Sequence, residues 1–553
     1  MCLTASATSN DRTTVLSTCP TKRAVFRSSL SADISPHNSA SSTRRRLDAM
    51  ANHRTWRLVF TLRPITKECR QHSYEGSGSA ESPYLVQWRA DDPFDPRQFS
   101  RGNKWLFIVI LSLATLSVAL ASSAYTGGVS QLVDEYHVSA TTALLGVSLF
   151  VVCFAIGPLL WASVSEIFGR QPTFFISFGA FTVANIGAAC SRSFAGLLVC
   201  RFLAGAFGSS SLVHTGAVLA DLFDVEDRAA PLGIFTASLF FGPTLGPITG
   251  SFLGMAYGWR GIEWFLAIMS GSLWLVGSLI IPETYSPVLL RRRAQALSRL
   301  DGMVYRSKAE KPDTSYASIV KTACVRPWLL LVVEPVVFLL SAYLAIEYGI
   351  LYLLFAAFPI VYRDQRGWSA GVATLPFLAV LVGMLFGVAY CNVHDRLRAR
   401  RNKDGTKRAF APEQRLQPAT VGAVAIPIGL FLFAWTNAPT VHFMPSAVGA
   451  AFFGFGLVNI FISTSSYLID SYSVFAASSL AAASVLRSVL GAVFPLFTPA
   501  MYDALGIHWA SSIPAFLSLA CIPIPFLLVR CGPWLRSRCK YMVLAAETAA
   551  QLR

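Results

Sequence analysis

From residue 103 onward the chain is a series of long apolar runs separated by short polar stretches. The runs cover roughly 104–126, 139–162, 172–190, 194–220, 230–254, 261–282, 328–356, 370–391, 418–436, 443–466, 475–500 and 509–530. Each holds about 19 residues or more, which as a helix at 1.5 Å per residue crosses ~30 Å of hydrocarbon. None shows the strict alternation of a membrane barrel strand, so the pattern predicts helices. The expectation is an all-α membrane protein with twelve transmembrane helices in two six-helix bundles.

The polar stretches divide the chain further. Residues 1–100 are rich in Ser, Thr and Arg and hold no long apolar run, which predicts a disordered N-terminal tail. An N-terminal bundle over 101–282, a central loop over 283–327, a C-terminal bundle over 328–530 and a C-terminal tail over 531–553 follow. The central loop, "PETYSPVLLRRRAQALSRLDGMVYRSKAEKPDTSYASIVKTACVR", and the stretch "HDRLRARRNKDGTKRAFAPEQR" between spans eight and nine are both strongly basic. A twelve-span count puts them on one side, leaving isolated Arg192, Arg260, Arg363 and Arg366 on the other. The positive-inside rule then predicts cytoplasmic basic loops and cytoplasmic termini.

Composition agrees with a polytopic chain. Of 553 residues, 54% are hydrophobic and 14% charged, and the mean hydropathy is +0.51. The net charge of +16 sits in tails and loops, which argues for loops beside a membrane and against nucleic acid as partner. The eleven cysteines lack metal-ligand spacing; Cys153, Cys200 and Cys521 lie inside apolar runs and read as small core residues. No H-E-x-x-H and no glycine loop leading to Lys-Ser/Thr is present. The expectation is therefore no metal, no cofactor and no enzyme, but a transporter with a site between two halves.

Several motifs resemble the major facilitator superfamily. "ASVSEIFGRQP", Ala162 to Pro172, is similar to its loop motif between spans two and three. "RFLAGAFGSS", Arg201 to Ser210, is similar to the fourth-helix motif with a membrane-embedded arginine. "GIFTASLFFGPTLGPITGSF", Gly233 to Phe252, resembles the fifth-helix antiporter motif. "PETYSPVLLRRRAQ", "EYGILYLLFAAFPIVY" and "AASSLAAASVLRSVLGAVFPLF" resemble signatures of fungal twelve-span drug:proton antiporters. The likeness runs from about Asp91 to Arg530 and implies the major facilitator fold. The chain departs from the family pattern at Ala162-Ser163, Gln171, Ser251 and Ala483.

The fifth-span motif carries Gly242, Gly246 and Gly250 every fourth residue, forming a bare ridge for close helix approach. Gly233 precedes it, and Pro243 and Pro247 predict a bend. The resemblance implies that the ridge seals against the other half; ordinary tight packing is the alternative. Glu166, Gly169, Arg170 and Asp221 form a candidate cytoplasmic gate, against the alternative of a static ion pair.

Arg201, about 10 Å inside span four, either biases a proton-carrying carboxylate, holds an anionic group or is paired structurally. Glu347 lies in span seven about 20 Å beyond Glu334. A carboxylate at that depth is costly as an anion, and Glu347 is the proton-coupling candidate beside Arg201. The alternatives are a wet vestibule or a hydrogen bond to Tyr343. Tyr343, Tyr348, Tyr352 and Asn459 are candidates for the substrate cavity, which aromatics with few polar groups suit; helix packing is the competing account.

Taken with the resemblance, these features predict a monomeric, multi-pass plasma-membrane protein. It would export lipophilic drugs, toxins or secondary metabolites as small-molecule substrates, exchanged for protons across the lipid bilayer. A polyamine or small-nutrient carrier, and a non-transporting receptor or sensor, are the alternatives.

Overall fold

The computed structural model describes residues 69, 72, 74–89, 92–224, 227–308, 316–401 and 412–551. Most of the N-terminal tail and the middle of the second basic loop lie outside them. Ten helices among the described residues are long and apolar enough to cross a membrane. Two of these are double. Ala230–Ile280, 51 residues long, leaves helical geometry at Gly258, where φ is 73°. Ala476–Arg538, 63 residues long, does so at Gly506, where φ is 70°. Each has roughly twice the length of one crossing, so ten helices supply twelve spans. In order these are Arg101–Tyr136, Ala140–Phe168, Arg170–Ala189, Phe194–Leu222, the two arms about Gly258, Pro335–Gln365, Val372–Leu397, Pro412–Thr436, Phe443–Tyr472 and the two arms about Gly506. They are numbered 1 to 12 below.

Local chemistry sets several starts. The hydroxyls of Ser139 and Ser193 accept the backbone N–H of Thr142 at 3.1 Å and of Gly196 at 3.2 Å, capping spans 2 and 4. Span 7 starts later than the apolar run at 328 suggests. Residues up to Val333 belong to the preceding helix Tyr316–Val333, and Pro335 opens span 7 with Glu334 as its cap residue, as proline favours the first helical turn. Glu334 is thus outside the span. Its carboxylate accepts the Tyr472 hydroxyl at 3.0 Å and the Tyr541 N–H at 2.8 Å, tying the C-terminal helix down. Side chains on the outer faces of the spans are apolar and exposed, as for Val183, Ile268 and Phe386, which suits hydrocarbon as the solvent.

The glycine ridge of span 5 packs on span 1, within the N-terminal half. A Cβ on Gly242 would meet Ala119, one on Gly246 would meet Ser123, and one on Gly250 would run into the Ala124 carbonyl. The expectation of a ridge sealed against the other half is therefore corrected: bare backbone selects the nearest backbone, and span 1 supplies it. Gly233 has no neighbour within 4 Å of an added Cβ and takes no part. Pro243 and Pro247 lie inside the helix, whose φ/ψ leave the helical range only at Gly258. Pro247 cannot donate to the Pro243 carbonyl, and Ser123 Oγ donates to it in its place at 2.8 Å.

Spans 5 and 8 do meet across the halves, through other residues. Thr244 faces Met384 at 3.7 Å, and the Gly371 N–H reaches the Met255 sulfur at 3.0 Å. Spans 2 and 11 join where Ser148 Oγ donates to the Ala492 carbonyl at 2.6 Å.

Part of the segment expected to be disordered is folded. Strand β1, Tyr84–Val86, pairs in parallel with β2, Tyr305–Ser307, in the central loop. Asp92 is buried against Arg293 of the loop helix Ser286–Asp301, with a bond of 3.0 Å to Nη2. Val86, Leu290, Ala294 and Leu297 bury a small apolar core there. The N-terminal segment and the central loop thus form one platform at one end of the bundle.

Candidate functional site

Deep between the halves, Tyr352 of span 7 meets span 1: its hydroxyl and that of Ser122 lie 2.8 Å apart. Tyr348, one turn earlier, lies 3.4 Å from the Tyr352 hydroxyl. Its ring lies beside the Arg487 guanidinium, 4.9 Å from the centroid. Phe461 of span 10 takes the same guanidinium at 5.2 Å and crosses Phe240 of span 5 with ring centroids 4.7 Å apart. Phe355 continues the wall 4.8 Å from Tyr352. Spans 1, 5, 7, 10 and 11 thus converge on an aromatic junction with three hydroxyls and one cation.

Of the four cavity candidates, the structure brings Tyr348 and Tyr352 together here. Asn459 is elsewhere: its Nδ2 donates to the Phe455 carbonyl at 2.7 Å, and its Oδ1 accepts the Cys391 thiol at 3.0 Å, inside the C-terminal half. Tyr343 shares the face of Glu347, one turn away. Glu347 is buried, and Ser518 of span 12 donates to it at 3.3 Å. It therefore faces span 12 rather than the other half, and its bond is to Ser518 and not to Tyr343.

Arg201 is fully buried in the N-terminal half. Its Nη2 donates to the Ala121 carbonyl at 2.7 Å and its Nε to that of Gly146 at 3.3 Å. The Tyr125 and Phe150 rings flank it at 4.9 and 4.6 Å. Its acidic partner is Glu263 of span 6, at 3.7 Å and equally buried. Neither Glu263 oxygen accepts a hydrogen bond. Glu263 carries the signal that singles out Arg201, a charge in an apolar run, but it stands third in its run, where a charge resembles an interfacial residue.

At the platform end, Arg170 and Asp221 pair at 3.1 Å, and Arg170 Nη1 donates to Ser165 at 2.6 Å. His214 bonds the Arg170 carbonyl. Glu166 is exposed and stands apart from these bonds. The acid that completes the cluster is Glu283, from the "PETYSP" stretch. One of its oxygens accepts the N–H groups of Arg170, Thr284 and Tyr285 at 2.8, 3.0 and 2.9 Å. Capping the start of span 3 this way satisfies free N–H groups and the helix dipole together. Gly169 is required: its φ is 107°, and a Cβ would strike the Glu283 carboxylate. The Tyr285 ring lies 4.5 Å from the Arg170 guanidinium; burial, with Glu166 nearby, raises its phenol above the ordinary value. Arg291 and Arg292 of the loop helix donate to the Ile167 and Phe168 carbonyls at 2.8 and 3.3 Å, which joins the cluster to the platform.

Twelve spans in two halves, meeting at an aromatic and polar junction deep in the membrane, define a membrane transporter rather than an enzyme. The family model described as Major Facilitator Superfamily matches residues 111–495, and the chain belongs to that family. It is 52% identical over 489 residues to an MFS-type efflux pump of Trichophyton rubrum, covering 88% of this chain and 82% of that one. It is 50% identical over 500 residues to a major facilitator superfamily multidrug transporter of Aspergillus fumigatus, covering 90% and 82%. Among solved structures, a proton:xylose symporter of the superfamily matches with a TM-score of 0.56 at 14% identity, covering 78% of this chain and 97% of that one; this likeness concerns the fold.

Proposed function

We propose that this efflux transporter carries lipophilic small molecules out across the plasma membrane in exchange for protons, as a monomer working by alternating access. The observation that carries the reading is the Ser122–Tyr352 contact at 2.8 Å. It joins the two halves through hydroxyls that a passing substrate can engage in turn, inside a wall of aromatic rings suited to apolar cargo. The Arg170–Asp221–Glu283 cluster is the cytoplasmic latch, holding spans 2, 3, 4 and 6 in one arrangement and releasing in the other. Both basic loops and both termini face the cytoplasm.

Glu347 carries the proton: it is a carboxylate enclosed among spans 7 and 12 with one hydroxyl donor. A second reading places the carrier at Glu263, favoured by its two unbonded oxygens beside Arg201. A polyamine carrier is disfavoured by Arg487, a cation facing the junction. The test is a susceptibility screen across drugs, polyamines and fungal metabolites with the gene deleted and overexpressed, with direct efflux measured for each hit. Efflux of lipophilic compounds upholds the reading; rescue only by import of nutrients overturns it.

A further inference from the structure

The three buried arginines among the described residues each have an acid beside them, whereas Arg487, partly buried in span 11, does not. Arg170 has Asp221 at 3.1 Å, Arg201 has Glu263 at 3.7 Å, and Arg293 has Asp92. Arg487 lies about 17 Å along span 11 from Ala476, and among the described residues no carboxylate pairs with it. Its Nη2 makes one long contact, 3.4 Å, with Ser484 on its own helix. Its Nε is buried with no acceptor. The Tyr348 and Phe461 rings flank the guanidinium and offset part of the cost of a cation at that depth, yet they accept none of its in-plane hydrogen bonds. A guanidinium presents a rigid fork that matches a carboxylate or sulfonate edge. An embedded cation with no carboxylate beside it among the described residues points to a ligand pathway.

We infer that Arg487 is the anion-recognition residue of the aromatic junction, and that the cargo includes aromatic or conjugated monoanions, carboxylates above all. The fork takes the anionic head while the rings of Tyr348, Phe461 and Phe240 take the flat apolar body. The Tyr348 and Tyr352 hydroxyls supply further donors beside the head. This rests on the transport reading above and narrows it: a neutral lipophile fits the walls alone, whereas an acid also satisfies the unpaired cation.

The test uses the full chain, purified and reconstituted, with 2-naphthalenesulfonate as a permanent anion and 2-naphthylmethylammonium as a cation of similar shape. Calorimetric binding is measured for wild type, Arg487→Gln and Arg487→Lys. Wild type is expected to prefer the anion, and Arg487→Gln to lose roughly tenfold or more in its affinity, the scale of a charged hydrogen bond. Arg487→Lys, which keeps charge without the fork, is expected to fall between them and serves if the Gln variant does not fold. Equal binding of the anion by wild type and either folded variant, or a wild-type preference for the cation, overturns the inference. Proton-driven vesicle uptake of neutral Nile red is read in parallel. Pumping of the dye without anion binding leaves the transport reading standing and removes the anion site; anion binding without any pumping does the reverse.

Discussion

Arg201 and Glu263 are buried together in the N-terminal half, their nearest charged atoms 3.7 Å apart and neither Glu263 oxygen hydrogen-bonded. Removing one partner of a buried pair typically costs about 3–5 kcal/mol, whereas replacing both by apolar groups is often neutral or better. Glu263→Leu and Arg201→Met are therefore expected to lower the melting temperature singly and to recover much of it together. On the second reading, with Glu263 as the carrier, export stays lost in the double variant, because apolar packing exchanges no proton. Recovered export along with recovered stability would make the pair structural.

The latch predicts a hierarchy among acids. Glu283→Ala removes the acceptor of three backbone N–H groups and is expected to impair efflux strongly, while Glu166→Ala, exposed and outside the cluster's hydrogen bonds, leaves it near wild type. Arg170→Ala and Asp221→Ala are expected to be non-additive, since each breaks the same contact. Gly169→Ala is expected to match the loss in Glu283→Ala. Efflux and surface expression, measured together, check the five single variants and the Arg170→Ala/Asp221→Ala double variant.

Span 5 offers an internal control. Gly246→Leu is expected to push span 1 away and reduce efflux while the protein still reaches the membrane, because the bare ridge is what allows backbone approach. Gly233→Ala, with open space around it, is expected to behave as wild type. Similar efflux in both variants would remove the ridge from the account.

Orientation has a direct check. Tags inserted after Gln295 and after Lys403 both follow basic stretches, and both are expected to be inaccessible from outside intact cells. Labelling of either one from outside contradicts the proposed topology.

The spans were legible because hydrocarbon leaves no choice: a crossing must be a long apolar run. The turns at Gly258 and Gly506 fall between the runs 230–254 and 261–282 and between 475–500 and 509–530, so the count of twelve follows even where helix continues across the bend. Single charges such as Arg201, and the Arg170–Asp221 pair, stood out against apolar or motif surroundings. Partners are a different matter. Hydropathy does not say which helix lies beside which, so the ridge's true neighbour, span 1, and the orientation of Glu347 toward Ser518 required the structure. Asn459 looked available in mid-span because an amide satisfied by its own helix and a neighbouring thiol has the same sequence signal as one facing a cavity. Arg487 carries the signal of Arg201, a cation well inside an apolar run, and that no acid among the described residues pairs with it becomes visible only once the neighbours are in place.

Export driven by proton exchange through an enclosed carboxylate is read out by uptake into inside-out vesicles under an imposed proton gradient. Glu347→Gln keeps the size and the Ser518 contact but cannot exchange a proton. Wild type is expected to concentrate substrate only while the gradient lasts, and to stop when a protonophore is added. Glu347→Gln is expected to lose uphill uptake while retaining substrate binding and downhill exchange, with Glu347→Asp partly active at a shifted pH. Accumulation by wild type that ignores the gradient, or uphill pumping by Glu347→Gln at the wild-type rate, contradicts the account.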